Sequence, residues 1–429
     1  MINKQSLLPS IHQEEDVNWG AVIGMMFIMS LLPPLIGLPM AIIHVTRKRN
    51  NSKTDYYAFF ACIALYISAI NATKQPSGDQ VNYYVAYHNV PIIGFYKSLI
   101  YIYGIGYSID PTRTNISGEF MNGIYNFLGY YLTFGRYPCF IFIYSFIEIL
   151  AVLMGLYHFS TKLQKPKIPL ICGALSMVFY YMYFNLMIHI QKQFLGQAIM
   201  MYVIGYYSRY GKMTIKTYTL AAMSVFTHAS NILYIPFLLY KPLRSKLSRN
   251  TLLIMSLGFI LFIILGPKLI GSMEVTDSNA LTYSITRFSA GVGQQDSAGA
   301  MNFMHPRTLI ILLPILFVLY KKLWLERNTL NVTEMFIFNI LLFLTLTVLA
   351  LFNQPLSQYR YFMMFYLFIP FFLPYIGNNR QSRDRIMKYI TLGIVASFFI
   401  FFENIVWKYA PETDIILKSP ILLLITDYY

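Results

Sequence analysis

Apolar runs of about 18 or more residues recur along the whole chain, separated by short polar stretches. A run of that length crosses the ~30 Å hydrocarbon core of a bilayer as a helix. The pattern predicts helices at roughly 19–45, 55–71, 137–158, 167–188, 193–209, 215–240, 250–270, 306–324, 333–352, 357–376 and 388–406, the sixth of them broken. We therefore expect an all-α polytopic membrane protein with about 11–12 transmembrane helices, one of them a half-helix pair.

Composition agrees with this class. Of the 429 residues, 56% are hydrophobic and only 12% are charged, whereas soluble domains are about 25% charged. The first apolar run follows acidic residues, lacks a basic leading region and is longer than a signal core, so we expect a retained helix. No stretch resembles an extra-membrane domain, which predicts a single integral membrane domain over residues 1–429.

The net charge of +15 is a topology signal. Most of the lysine and arginine residues lie in six short loops, at 47–53, 162–167, 209–216, 241–249, 321–327 and 380–388. The positive-inside rule assigns these loops to the cytoplasm. The remaining, external segments hold equal numbers of basic and acidic residues, so nucleic-acid binding is not supported.

The stretch 215–240 has basic loops on both sides and therefore has to enter from the cytoplasm and return to it. A helix rises ~1.5 Å per residue, so a segment of this length cannot cross twice. We predict two half-helices with a tip at Thr227-His228, facing the external side. Non-helical backbone at that depth is tolerated where it is buried in protein or lines a wet cavity.

Two external segments are long. Residues 72–136 contain two aromatic, interrupted apolar stretches, VPIIGFYKSLIYIYGIGYSI and GEFMNGIYNFLGYYLTFGR, which we expect to form helices lying in the membrane interface. Residues 271–305 contain GVGQQDSAGA, a flexible piece suited to a mobile lid or to a linker. No internal repeat of the kind found in inverted-topology transporters is visible.

Several cations fall on the external side, which the positive-inside rule depletes. They are Arg136, Lys192, Arg287, Arg307 and Arg360, of which Arg287 and Arg307 are the weaker candidates. Each taken alone is as well explained as an interfacial anchor that reaches the lipid headgroups. Together they suit a diphosphate, because guanidinium and ammonium groups are its natural partners.

Three further polar features lie on the predicted external side, one of which includes Lys192. Lys192-Gln193 opens a helix whose free N–H groups favour a phosphate, although an ordinary helix cap fits as well. His228, at the predicted tip, is placed to donate to a phosphate oxygen, or is a satisfied structural histidine. His189 is weaker, and we expect it not to be essential.

Asp79 is the best external carboxylate. Tyr83, Tyr84 and Tyr87 follow it at helical spacing, which brings aromatic rings alongside the acid. Rings cover the apolar face of a sugar while a carboxylate accepts hydrogen bonds from its hydroxyls. The alternative is an aspartate at a helix N-cap beside an interfacial tyrosine belt.

Other chemistries find no support in the sequence. Cys62, Cys139 and Cys172 lie within apolar runs and show neither metal spacing nor a disulfide framework. There is no P-loop, no GxSxG and no dinucleotide fingerprint, and we expect no metal and no cofactor. Glu148 lies deep in a predicted helix, and we expect its role to be structural. Glu403, near the outer end of the last helix, indicates no particular function.

The order of five motifs resembles bacterial EpsG/Wzy-type polysaccharide polymerases from about residue 79 to about residue 375. These motifs are GDQVNYY, the GRYP start of a helix, KQFLGQA, MSVFTHASNILYIPFLL and QYRYF. The family usually has Arg where this chain has Lys192, and Lys cannot form the bidentate fork.

The resemblance implies a GT-C-like membrane glycosyltransferase. It would join undecaprenyl-diphosphate-linked oligosaccharide repeat units into O-antigen, capsular polysaccharide or exopolysaccharide, on the periplasmic or outer face of the bacterial inner membrane. Asp79 would aid the attacking sugar hydroxyl, while Arg136, Lys192, His228 and Arg360 would steady the lipid diphosphate. Tyr83, Tyr84, Gln193, Arg287 and Arg307 are the other expected substrate-binding residues. A chain-length regulator and a flippase of the same pathway are possible partners.

Three other functions stay open. A flippase or transporter of the lipid-linked sugar would place ionisable residues near the midplane and often shows repeat symmetry. An O-antigen ligase uses the same donor, and the sequence separates it poorly from a polymerase. A membrane acyltransferase fed from the cytosol would need polar groups on the inner side.

Overall fold

The computed structural model describes residues 16–426 with gaps at 77–78, 101–118, 164–165, 181–183, 185–186, 188–189, 272–303, 351–360, 363–364, 366, 369, 377–379 and 408–414. For residues 262–263, 266–271, 304–311, 380 and 401–407 it describes the helical backbone alone. All regular structure in these residues is helical, with no strand among them, which confirms the predicted all-α class.

Nine α-helices whose bounds lie within the described residues precede the polar tip at Thr227-His228. They are α1 (Trp19–Leu31), α2 (Pro34–Arg47), α3 (Lys53–Ala72), α4 (Asp79–Ile100), α5 (Met121–Leu132), α6 (Tyr137–Ser160), α7 (Lys167–Val178), α8 (Gln191–Tyr210) and α9 (Ile215–Thr227). After the tip, the described part of the chain contains the helices α10 (Ile235–Leu239), α11 (Arg249–Gly271), α12 (Met304–Tyr320), α13 (Val332–Ala350), α14 (Arg380–Trp407) and α15 (Pro420–Ile425). Short 3₁₀ turns at Ala229–Tyr234 and Lys241–Arg244 flank α10.

Three of the described helices are long and apolar enough to cross a membrane, namely α3, α6 and α13. They meet α8 in one continuous apolar core. The helices α6 and α8 approach each other very closely, since a Cβ on Gly205 would lie 2.2 Å from the carbonyl oxygen of Gly155. Only glycine allows two backbones to come this close, as is common between helices in membranes.

The first predicted helix, 19–45, is wrong as a single element. The chain breaks between α1 and α2, where Leu32 adopts extended angles (φ −97°, ψ 141°) ahead of Pro33 and Pro34. The ring of a proline disfavours the helical region for the residue before it, and proline has no N–H for the helix ladder. Two consecutive prolines therefore end one helix and begin the next.

The predicted chain reversal at Thr227-His228 is confirmed. Ser224, near the end of α9, donates to the carbonyl of Gly196 near the start of α8 (2.6 Å). Further along the chain, Arg244 donates to the carbonyl of Ser208 (3.2 Å), at the other end of α8. The segment after α8 thus runs back along that helix, turns at His228 and returns.

The segment 72–136, which the sequence predicts to be external, is helical over α4 and α5 within its described residues, and its predicted location in the membrane interface stays a prediction. These two helices pack closely, because a Cβ on Gly123 would lie 2.1 Å from the carbonyl oxygen of Ser98. The polar side of α5 faces protein, since Asn122 and Asn126 are each only 6% exposed. The second external segment lies outside the described residues over 272–303.

Candidate functional site

Lys192, one residue into α8, forms a short ion pair with a carboxylate from the segment 72–136. Its Nζ lies 2.6 Å from Oε2 of Glu119, and the two side chains are only 15% and 7% exposed. The start of α8 confirms the predicted helix opening at Lys192-Gln193 within two residues. A buried ion pair is stable only when further hydrogen bonds satisfy its groups.

Glu119 has such a bond on its other oxygen. The backbone N–H of Ala229, directly after the tip, donates to Oε1 (3.1 Å). Burial alone raises the pKa of Glu119, but the charges of Lys192 and His228 and these hydrogen bonds outweigh it and lower the pKa to about 2. Glu119 is therefore a fixed anion that joins the start of α8 to the tip.

The tip itself is seated on α5. Asn122 donates to the backbone carbonyl of Thr227 (2.9 Å), and the hydroxyl of Tyr125 lies 2.9 Å from that of Thr227. His228 adopts extended angles, and its Nδ1 lies 2.7 Å from the hydroxyl of Ser230. The chain reversal thus ends in a polar tip whose backbone and hydroxyl groups are held by side chains of α5.

A glycine on α8 makes room for the tip. A Cβ on Gly196 would lie 2.4 Å from the amide nitrogen of Asn231 and 3.1 Å from the carbonyl oxygen of Ser224. Gly196 lies one turn beyond Lys192, so the close approach sets the distance between the tip and the ion pair. The sequence KQFLG therefore combines the charge and the space that the tip needs.

A small polar pocket lies beside the ion pair. It is lined by Tyr83, Asn122, Tyr125, Asn126, Tyr144, Gln191 and Lys192. Asp79 begins α4 one turn before Tyr83 and is exposed. Tyr83 and Lys192, two of the residues predicted to bind substrate, therefore line the same pocket, and Asp79 stands one helical turn from the pocket wall.

The other predicted aromatic and polar residues lie around this pocket. Gln193 is buried at 3% exposure next to Lys192. The ring of Tyr84 packs edge-on against Tyr137 at a centroid distance of 4.9 Å. Tyr84 therefore contributes to an aromatic layer outside the pocket rather than to the pocket lining.

Arg136 directly precedes α6 and contacts the end of α15. Its guanidinium donates to the carbonyl oxygens of Leu424 and Ile425 (3.0 and 3.2 Å), at the end of α15. Tyr144 donates to the carbonyl of Gln191 (3.4 Å), and Arg136 lies about 12 Å from Tyr144 along the axis of α6. Arg136 is therefore about two helical turns away from the level of the ion pair along α6.

Several predicted positions cannot be compared. His189, Arg287 and Arg360 lie outside the described residues, and for Arg307 and Glu403 the helical backbone alone is described. Glu148 is fully buried in α6, and neither of its carboxylate oxygens has a hydrogen-bond partner among the described residues. Within the same described ranges, no three His, Cys, Asp or Glu side chains come together as a metal site.

Glu119 is the functional candidate that sequence reasoning missed. It is the only acid in the stretch GEFMNGIYNFLGYYLTFGR, and it precedes Asn122 and Asn126 at helical spacing. A carboxylate and two amides on one face of an otherwise apolar aromatic helix form a polar stripe with a helical period. That stripe was the available signal.

Comparisons with known proteins bear on the family. No curated protein and no solved structure matches the sequence. The EpsG family model matches residues 58–416, a range that holds every residue of the ion pair, the tip and the small pocket. The chain therefore belongs to the EpsG family, the family of EpsG/Wzy-type polysaccharide polymerases.

Proposed function

We propose that this protein is a membrane glycosyltransferase that polymerises undecaprenyl-diphosphate-linked oligosaccharide repeat units at the external face of the bacterial inner membrane. The product would be O-antigen, capsular polysaccharide or exopolysaccharide. The observation that carries the proposal is the convergence of three distant segments on Lys192: the external helix α5, the start of α8 and the tip at Thr227-His228.

The proposed reaction is a single displacement with inversion. A hydroxyl oxygen of the acceptor sugar forms a bond to the anomeric carbon of the donor chain. The bond from that carbon to the diphosphate oxygen breaks, and its electron pair leaves with the lipid diphosphate. Asp79, whose carboxylate is exposed one turn from the pocket, takes the hydroxyl proton.

Lys192 is proposed to stabilise the charge that develops on the departing diphosphate. A cation held in place before the reaction stabilises such charge without reorganisation, which is commonly a large contribution to catalysis. Glu119 is the positioning residue for Lys192. Its own pKa of about 2 makes it a poor proton acceptor, so the role of base stays with Asp79.

The remaining roles are proposed around this centre. His228 would donate to a phosphate oxygen from the tip, and Tyr83 would cover the apolar face of a sugar. Arg136 and Arg360 would steady the diphosphate or its approach from the outer side. GT-C-like architecture and the partnership with a flippase and a chain-length regulator are part of the same proposal.

The proposal is tested in a strain that lacks this gene, complemented with variants and examined by gel for surface polysaccharide. We expect Lys192→Ala, Arg136→Ala and Arg360→Ala to abolish the long ladder while the protein is still inserted. Lys97→Ala is the matched control, since Lys97 is an exposed lysine in the same external segment. A full ladder in all three variants would overturn the leaving-group assignment.

The material that accumulates separates the proposed function from its alternatives. A polymerase defect leaves single-repeat material on the surface, because capping does not need polymerisation. Loss of all capped material instead indicates a ligase. Intermediates held in the cytoplasmic leaflet indicate a flippase.

A further inference from the structure

A carboxyl group lies at the middle of α6, one of the described helices that are long and apolar enough to cross a membrane. The side chain of Glu148 is 0% exposed, and neither of its oxygens has a hydrogen-bond partner in the described part of the chain. An ionised carboxylate without a partner is costly at that depth, and ionisable residues in membrane spans usually have a function. The reaction proposed at Lys192 does not use Glu148.

The helices α6 and α8 run parallel, which determines what lies opposite Glu148. Near the start of both helices, Tyr144 donates to the carbonyl of Gln191 (3.4 Å). Further along, a Cβ on Gly155 would lie 2.5 Å from the carbonyl oxygen of Met201. Because both helices rise ~1.5 Å per residue, these two contacts place Glu148 at the level of residues 194–198 of α8.

Gln197 lies within that level and also lacks partners. It is 1% exposed, and neither its Oε1 nor its Nε2 has a hydrogen-bond partner among the residues that the structure describes. Gln197 lies one turn before Met201, and Glu148 lies two turns before Gly155, so both face the contact between the two helices. Buried polar groups are nearly always hydrogen-bonded, so a carboxyl and an amide left unpaired at one level indicate a ligand between them.

The chemistry of the two side chains selects the class of ligand. The two oxygens of Glu148 and Oε1 of Gln197 are hard donors, which suit a hard cation. One carboxylate balances one positive charge, whereas a divalent ion would leave a net charge in the membrane core. In the described ranges no three His, Cys, Asp or Glu side chains come together, so a transition metal is not indicated.

We infer that Glu148 and Gln197 form a binding site for one small monovalent cation, Na⁺ or a proton, between α6 and α8 in the membrane core. The cation neutralises the carboxylate, and the amide oxygen of Gln197 accepts the proton or coordinates the ion. The site lies outside the proposed glycosyltransferase reaction and does not depend on it. Because α8 also carries Lys192, a bound cation stabilises the helix pair on which the ion pair with Glu119 is built.

Carbodiimide labelling of the purified full chain in detergent tests the site without a substitution. Dicyclohexylcarbodiimide modifies protonated carboxyl groups in apolar surroundings, and mass spectrometry quantifies the modified peptide that contains Glu148. If Na⁺ occupies the site, NaCl should lower this labelling at least tenfold relative to choline chloride at the same ionic strength. If a proton occupies it, the labelling should fall at least tenfold from acidic to alkaline pH and should not respond to Na⁺. Labelling that responds to neither would overturn the inference, because Glu148 would then be a fixed structural acid.

The thermal midpoint gives a second readout, which does not require the reagent to reach Glu148. Glu148→Gln removes the charge and keeps the shape, and Glu326→Gln is the matched control at a carboxylate that is 34% exposed. At ten times its dissociation constant, Na⁺ should raise the midpoint of wild type and of the control by about 3 °C and leave that of Glu148→Gln unchanged. Gln197→Leu should raise the Na⁺ concentration for half of this effect at least tenfold. For a proton, the midpoint should fall more steeply with rising pH in wild type than in Glu148→Gln. Equal responses of wild type and Glu148→Gln to both Na⁺ and pH would overturn the inference.

Discussion

The structural and the catalytic contributions of the ion pair between Lys192 and Glu119 can be separated by removing the two charges singly and together. Glu119→Gln leaves Lys192 as a buried cation without its carboxylate, and Lys192→Met leaves the Glu119 carboxylate without its cation. The double variant Glu119→Gln/Lys192→Met leaves neither charge. If the pair is a stability device alone, the double variant should recover function along with stability.

The magnitudes follow from the geometry. At 2.6 Å and an effective dielectric constant of about 20, the attraction is about 6 kcal/mol before the cost of burial is subtracted. Breaking a buried pair by removing one partner costs about 3–5 kcal/mol, because the other charge stays uncompensated. We expect each single variant to lose about 3 kcal/mol and the double variant to recover about 2 kcal/mol of that loss.

Two quantities are measured. The thermal midpoint of the detergent-purified protein is determined by size-exclusion chromatography after heating. Function is measured as the polysaccharide ladder in complemented cells. The control is Lys322→Met, which removes one partner of the i,i+4 pair with Glu326 (2.7 Å), whose side chains are 18% and 34% exposed, and leaves Glu326 paired with Lys321. Such i,i+4 pairs contribute about 0.3–0.5 kcal/mol, so this variant should behave nearly as wild type. A double variant that makes a full ladder would refute the catalytic role of Lys192, and one as unstable as the worse single variant would refute the pairing argument.

Three shorter predictions concern the same centre. The pKa of Glu119 is lowered from 4.5 to about 2. The stabilisation that its carboxylate gives to the folded protein is therefore complete above pH 4.5 and is lost as the pH falls through 2. The difference in thermal midpoint between wild type and Glu119→Gln should stay constant from pH 8 to 5 and shrink below 4.5. Gly196→Ala should lower the free energy of unfolding by about 1–3 kcal/mol, because the new Cβ would lie 2.4 Å from the amide nitrogen of Asn231. The control Gly258→Ala in α11, where a Cβ would have nothing within 4 Å, should not destabilise the protein. Equal thermal midpoints for the two variants would refute the close packing at the tip. Ala229→Pro removes the N–H that donates to Glu119 and should reduce the ladder, whereas Ala229→Ser keeps that N–H and the ladder.

The features that the sequence predicted well are those that depend on neighbouring residues or on sums along the chain, such as loop charge and segment length. Loop charge and segment length together required the chain to reverse near Thr227-His228, and the structure confirms that reversal. The helical start at Lys192-Gln193 was visible because a polar cluster there precedes an apolar run. The break at Pro33-Pro34 also has a local cause, but a hydropathy window averages over two prolines in an apolar run and so hides it.

The features that the sequence did not predict are pairings between distant residues. Lys192 and Glu119 are separated by 73 positions, and Arg136 lies 288 positions from the carbonyl of Leu424 that it contacts. Hydrophobic period and charge balance carry no information on which side chains meet across such distances. Asp79 was singled out because three tyrosines follow it at helical spacing, whereas the same count along a helix face was not made for Glu119 and its two amides.

The pairing also changes how a cation can act on a substrate at this depth. A lone lysine on the outer side would attract any lipid phosphate, and it would be costly to bury. With Glu119 at 2.6 Å, most of the field of the Lys192 ammonium is cancelled for any group that is distant from the pair. An ammonium has three donors and can hold a carboxylate and a phosphate at the same time, so a ligand that arrives in contact still gains from it. Under the proposed function, this favours a diphosphate, which carries more charge than a phospholipid headgroup, over the abundant lipids around it. The pairing also gives a physical reason for a lysine at this position. The compact ammonium of lysine fits between Glu119 and the tip, where the planar guanidinium of an arginine would need more space.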